Sequence, residues 1–249
     1  MGSLGFMTPF DAAELEPRLD TIIKGGFNLT LRSRLRCRVV RLEERLLMHA
    51  RAHGVPAGDL DEEDLPPIPS LEQLEAPLRE TQETGWFCAL NEIAVSRGSQ
   101  SLIDVDVYAD RLQVTKVLAD GLVLATPTGS TAYSMSAGGS MVHPAVPCTL
   151  FTPICPHSLS ARPMLFPDSA AITIEVPPTA RSSAVASFDG KTPVELFHGD
   201  ALVVKVSPFP LPAVCKDSEN DDWFEVVTGV LQWNQRAAFQ KPLSKTKET

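Results

Sequence analysis

The 249-residue chain lacks the features that would mark it as secreted, membrane-spanning or metal-stapled. Its cysteines are five, Cys37, Cys88, Cys148, Cys155 and Cys215, an odd and scattered set without a Cys-x-x-Cys spacing. That pattern argues against a disulfide framework or a zinc site and for a reducing compartment. No apolar run approaches the roughly 20 residues needed to span a bilayer. The opening ten residues lack the basic region and apolar core of a signal peptide. A cytoplasmic protein is expected, with an organelle as the other compartment these features allow. Positive charge is scarce too: 22 Lys and Arg stand against 31 Asp and Glu, a formal net charge of −9. Such a surface repels phosphate backbones and anionic lipid, which argues against nonspecific nucleic-acid or membrane binding. The histidines His49, His53, His143 and His198 have no ligand-like spacing, His157 reads as a structural histidine, and no metal ligand set is expected.

Hydrophobic residues at 43% and charged residues at 21% make up an ordinary globular mixture. A chain this long buries roughly 70% of its unfolded surface and needs no staple. Leu15, Leu19, Ile22 and Ile23 fall at helical spacing within Asp11 to Lys24, and Gly25-Gly26 closes that helix. Leu35, Cys37 and Val39 alternate with arginines, the period of a strand with one wet face. Residues 54–77 combine an acidic run with Leu65-Pro66-Pro67-Ile68-Pro69 and read as an exposed insertion. From Trp86 onward short strands follow closely: Phe87–Ser96, Leu102–Tyr108, Leu112–Leu118 and Leu122–Ala125, then Ala170–Val176, Ser183–Phe188, Val194–Phe197 and Ala201–Val206. Turns are read at Ala109-Asp110-Arg111, Asp120-Gly121, Asp189-Gly190 and Gly199-Asp200. Strands at this spacing favour a sandwich or barrel. Trp223, Val227 and Leu231 form one face of a last helix behind the acidic Asp221 and Asp222. The fold class is α+β, mostly β.

Two stretches carry candidate chemistry. Thr126-Pro-Thr-Gly-Ser-Thr-Ala-Tyr-Ser-Met-Ser-Ala-Gly-Gly139 follows an apolar strand and gathers small hydroxylated residues where backbone can approach a flat ligand. Thr128, Ser130, Thr131 and Ser136 offer donors and acceptors. It lacks the Gly-Lys-Ser/Thr ending of a phosphate-cradling P-loop; on composition alone it is a Gly/Ser-rich loop. Asn91 and Glu92 interrupt a strand pattern, so at least one of them faces inward or sits at a rim. An amide can read an adenine edge and a carboxylate can accept both hydroxyls of a ribose. A surface-facing pair on a one-sided strand is the competing reading.

In chain order, Leu90-Asn-Glu92, Asp120-Gly121, the Thr126–Tyr133 run, Ser136-Ala-Gly-Gly139, Pro156-His-Ser-Leu-Ser-Ala-Arg-Pro163 and Phe188-Asp-Gly190 resemble the NAD kinase family, nearest its eukaryotic branch. The opening Gly2-Ser-Leu-Gly-Phe6 and the Trp223-Phe224 ending resemble it as well. The resemblance implies transfer of the terminal phosphoryl group of ATP, with Mg²⁺, to the 2′-hydroxyl of the adenosine ribose of NAD, giving NADP. It implies a remnant of an N-terminal α/β domain at 1–30, a β-sandwich NAD-binding domain at 31–222, and a C-terminal helix and tail at 223–249. Asn91 would contact adenine and Glu92 the ribose hydroxyls. Thr128, Thr131, Ala132 and Tyr133 would line the adenosine pocket, and Ser136 would reach toward nicotinamide. Asp120 would serve a neighbouring subunit's dinucleotide, which implies a homo-oligomer, a dimer or tetramer. Asp189 matches a carboxylate near the reaction centre and is the candidate catalytic residue. The family's Gly-Gly-Asp-Gly-Thr motif belongs upstream of Gly2-Ser-Leu-Gly-Phe6. The resemblance therefore implies that this chain carries the dinucleotide-binding half and is by itself essentially inactive as a kinase. The alternative is a noncatalytic NAD-binding or oligomerisation module.

Overall fold

The computed structural model describes residues 9–10, 13, 15–53, 66–69, 73–74 and 85–234. The chain divides into two compact units, Met1–Thr30 with Ala213–Thr249, and Leu31–Pro212. Its first half holds β1 (Asn28–Arg32), β2 (Leu35–Val40), β3 (Trp86–Ala89), β4 (Glu92–Arg97), β5 (Ile103–Ala109), β6 (Leu112–Ala119) and β7 (Gly121–Ala125). Then come β8 (Cys148–Ile154), β9 (Met164–Pro167), β10 (Ile172–Glu175), β11 (Ala184–Phe188), β12 (Lys191–Leu196), β13 (Ala201–Val206) and β14 (Leu211–Cys215). Among the described residues the helical segments include α1 (Leu15–Ile23), α2 (Leu42–His53), α3 (Tyr133–Ser136) and α4 (Glu219–Glu225).

The larger unit is a sandwich of two six-stranded antiparallel sheets, ordered β3-β2-β13-β10-β5-β6 and β12-β11-β4-β7-β8-β9. Strand alternation decides which side chains meet between them. On β5, Ile103, Val105 and Val107 are fully buried. They pack in one cluster with Ile172, Ile174, Leu202 and Val204 of the same sheet and Ile93, Val95, Leu122, Leu124 and Ala186 of the other. Phe87 and Phe188 stack across the two layers with ring centroids 4.2 Å apart.

Two expected features change character. The single strand expected over Phe87–Ser96 is broken at Leu90-Asn91: β3 belongs to the first sheet and β4 to the second. Asp120 likewise lies where the chain leaves β6 in the first sheet for β7 in the second, so Asp120-Gly121 is a crossing and not a hairpin turn. By contrast, Asp110 and Arg111, both at positive φ, close the β5–β6 hairpin as expected.

The outer face of the second sheet is covered as well. Ala94, Val123, Ala125, Cys148 and Leu150 pack beneath Val142, which is why all five residues of β7 are buried. On the outer face of the first sheet lies the Arg45–Glu175 ion pair, 2.6 Å long. Most of the insertion expected at 54–77 lies outside the described residues, but Leu74 is fully buried and packs with Ile68 on Val40 and Val203. At that point the chain is docked, not exposed.

In the smaller unit β1 pairs with β14. The last helix begins at Glu219, four residues before Trp223, with Ser218 as its N-cap accepting the Asp221 N–H. Asp222 accepts from the Lys216 and Asp217 N–H groups at 2.7 and 3.1 Å, closing the turn that leads into it. The helix continues as a π turn over Val226–Val230.

Candidate functional site

The break at Leu90-Asn91 builds the site. A strand that leaves one sheet for the other puts a short corner at the end of the sandwich, and the Asn91-Glu92 pair sits in it. Glu92 is the first residue of β4 and pairs in register with Ala125, the last residue of β7. Sheet pairing therefore brings the Thr126–Tyr133 run directly to the corner. The Thr126 N–H donates to the Asn91 carbonyl at 2.9 Å, and its hydroxyl donates to the Leu90 carbonyl at 2.6 Å and accepts the Gly129 N–H at 3.0 Å. Gly129 lies so close to Asn91 that a Cβ there would overlap the Asn91 carbonyl group. This close approach is what the glycine of the motif provides.

From the other side comes the β11–β12 turn. Asp189 and Gly190 both have positive φ, the geometry of a tight hairpin turn. It aims the Asp189 carboxylate at the corner, where it accepts the N–H groups of Leu90, Asn91 and Glu92 at 2.7, 2.8 and 3.1 Å.

Glu92 is the unusual group. One oxygen, Oε2, is buried and has no hydrogen-bond partner. Burial pushes its carboxyl above the ordinary range, the Asp189 charge pushes the same way, and a hydrogen bond from the Tyr133 backbone N–H opposes both. A carboxylate held short of donor partners beside a second carboxylate is suited to take hydroxyl donors from a ligand.

The structure therefore brings Asn91, Glu92, Thr128, Thr131, Ala132, Tyr133 and Asp189 to one end of the sandwich. Thr131 is buried and its hydroxyl donates to the Thr128 carbonyl at 3.3 Å, while Tyr133 and Ser136 are exposed on α3. Ser130, expected to offer its hydroxyl outward, is fully buried, donating to the Val142 carbonyl and accepting its N–H at 3.2 and 3.0 Å. Ser134 is also turned inward and shares a 2.9 Å hydrogen bond with Thr152. Asp120 is not part of the cluster. It lies at the opposite end of β7 from Thr126, roughly 17–20 Å away along the strand, and pairs with Arg97 at 3.3 Å. Sequence reasoning did not single out Thr126, whose N–H and hydroxyl hold the corner; the signal was a β-branched hydroxyl at the point where a buried strand ends. Among the described residues no three His, Cys, Asp or Glu side chains gather as a metal site.

The profile of the ATP-NAD kinase C-terminal domain matches residues 90–215, which spans the whole cluster. The chain belongs to the ATP-NAD kinase family. It is 40% identical to a rice protein named probable NAD kinase 1, over 95% of this chain and 38% of that protein. It is 35% identical to the NAD(+) kinase of Saccharomyces cerevisiae, over 95% of this chain and 40% of that protein. The chain thus spans about two fifths of the length of these curated relatives. Its fold is similar to that of a yeast NADH kinase solved with NADH, with a TM-score of 0.73 and 31% identity, covering 97% of this chain and 59% of the other. The two-sheet sandwich is the fold of the family's C-terminal domain. Among the described residues no helix is long and apolar enough to cross a membrane.

Proposed function

We propose that this chain binds the adenosine half of NAD at the Asn91–Glu92 corner, as the dinucleotide-binding part of an enzyme that phosphorylates the ribose 2′-hydroxyl to give NADP. The observation that carries this reading is the buried, unpartnered Oε2 of Glu92, set against the Thr126–Tyr133 run. Ionised Glu92 accepts hydrogen bonds from the ribose hydroxyls, which fixes the ring and presents the 2′-oxygen in one orientation. Asn91 reads the adenine edge, and the exposed Tyr133 ring covers the nucleoside. In the reaction a bond forms between the 2′-oxygen and the γ-phosphorus of ATP, the bond to the bridging oxygen breaks, and ADP leaves as the hydroxyl proton is lost. The Gly-Gly-Asp-Gly-Thr half of the family acts on the phosphates and that proton. Among the described residues no carboxylate cluster fits Mg²⁺; bound to ATP, the ion would neutralise charge on the phosphates. The enzyme is a homo-oligomer in which Asp120 serves a neighbouring subunit's NAD, in agreement with its distance from Glu92 in one chain. Five scattered free cysteines support a cytoplasmic setting.

The test is calorimetric titration of the chain with NAD, together with NADP formation by a form of the protein that includes the Gly-Gly-Asp-Gly-Thr half. Glu92→Gln should weaken both by about tenfold to a hundredfold, the range for hydrogen bonds to a charged acceptor. Absence of saturable NAD binding, or equal binding by the Gln variant, removes the reading.

A further inference from the structure

A corner where the chain changes sheets interrupts both ladders, and its backbone groups need other partners. Leu90, Asn91 and Glu92 present six such groups, and two residues hold all six. Asp189 Oδ2 accepts the Leu90 N–H, and Oδ1 accepts those of Asn91 and Glu92. The Asp189 N–H donates to the Glu92 carbonyl at 3.0 Å. The two remaining carbonyls, those of Leu90 and Asn91, accept from the Thr126 hydroxyl and the Thr126 N–H.

We propose that Asp189 and Thr126 are positioning residues that clamp the Leu90–Glu92 corner from opposite sides, so that Asp189 acts through Asn91 and Glu92 and not on the transferred group. The inference rests on the reading of Asn91 and Glu92 as the NAD-binding pair. It reassigns Asp189, whose family resemblance makes it a candidate catalytic carboxylate: both its oxygens already accept backbone N–H groups. The clamp is electrostatic as well as geometric. Of the elements around Glu92, the β11–β12 turn contributes the Asp189 charge, the start of α3 contributes the Tyr133 amide, and β7 faces it with the uncharged Ala125.

The test uses the whole chain and two readouts: hydrogen exchange of the corner amides, and NAD affinity by calorimetry from acidic to neutral pH. Asp189→Ala should speed exchange at Asn91 and Glu92, leave the amides of β5 and β10 as in the wild type, and weaken NAD by about tenfold or more. Asp189→Asn keeps one acceptor oxygen but loses the charge. It should recover part of the affinity and move the acid limb of NAD binding to lower pH, because Glu92 then ionises more readily. A brace with no part in the site would lower affinity evenly and leave that limb in place. NAD affinity and acid limb both unchanged in Asp189→Asn and Asp189→Ala would overturn the proposal. If Asp189→Ala does not fold, Asp189→Asn and Thr126→Val decide by the same two readouts. A wild-type chain that takes up no NAD sinks the binding reading instead, and exchange at 90–92 then decides the clamp alone: faster exchange in the Asp189 variant retains it, unchanged exchange removes it.

Discussion

Glu175 and Glu92 are acidic residues on two sheets of one sandwich, and the fold treats them in opposite ways. Glu175, on the outer face of β10, receives the Arg45 guanidinium at 2.6 Å, and that guanidinium also donates to the carbonyls of Gly199 and Pro66 at 2.7 and 2.5 Å. Its charge is answered within the chain. Glu92 receives one backbone N–H, keeps an oxygen without a partner, and faces a second carboxylate. A fold selected only for stability would treat the second as it treats the first. The contrast separates a charge that holds the protein together from one held ready for something else.

The largest expected effect lies on the stabilising side. Arg45 side-chain exposure is 2%, so Arg45→Met leaves Glu175 buried without its counter-charge. The expected loss is about 3–5 kcal/mol, the range for breaking one side of a buried pair. Adding Glu175→Leu to that variant should return most of the loss, because two apolar residues need no desolvation. Urea unfolding of the two variants checks this. A double variant as unstable as the single one would mean that α2 depends on the Arg45 contacts to Gly199 and Pro66 more than on charge.

Gly129→Ala comes next and tests the other region. The added methyl meets the Asn91 backbone and not a side chain that could swing away, so the motif must move off the corner. Overpacking of this kind costs about 1–3 kcal/mol. NAD affinity should fall with it, since the corner and the motif no longer share one geometry. Equal NAD affinity in Gly129→Ala and wild type would show that the corner does not need the motif at its side.

The two regions differed equally in how far they could be read from sequence. The inward alternation of β5 and β10 was legible because one face is apolar and the other is polar. The site was legible as a polar pair breaking a strand and a hydroxyl-rich run after one. The Arg45 region was not, because α2 places an arginine at the most buried of its described positions, where a helical stripe would show an apolar residue. β8 was missed because it is buried on both faces and so does not alternate, and because it contains Pro153. Proline is tolerated there since β9 pairs only as far as Phe151, leaving that side of the strand open. Which hydroxyls of the Thr126–Ser136 run turn inward also escaped sequence reading. The segment around Val142 decides it for Ser130 and Thr152 of β8 decides it for Ser134, and nothing local in the motif announces either.

Glu92→Gln gives the smallest change in stability, and its sign is the sharpest test of the comparison. Folding raises the Glu92 carboxyl above its ordinary range, chiefly through burial and then through Asp189. The folded protein therefore binds that proton more tightly than the unfolded chain does. Stability from this group is highest below the ordinary carboxylate range, declines as pH rises from there through the raised folded value, and stays lower above it. Gln has the shape of the protonated acid, and its carbonyl can still accept the Tyr133 N–H. At neutral pH the variant should be slightly more stable than wild type, by less than about 1 kcal/mol because the group is only partly shielded from solvent. In acid the difference should vanish. NAD binding should meanwhile fall by about tenfold to a hundredfold, so one substitution moves stability and affinity in opposite directions. Urea midpoints at neutral and acidic pH, set beside the calorimetric titration, measure both. A Glu92→Gln chain that is less stable than wild type at neutral pH would put Glu92 in the same class as Glu175, a charge the fold needs for itself.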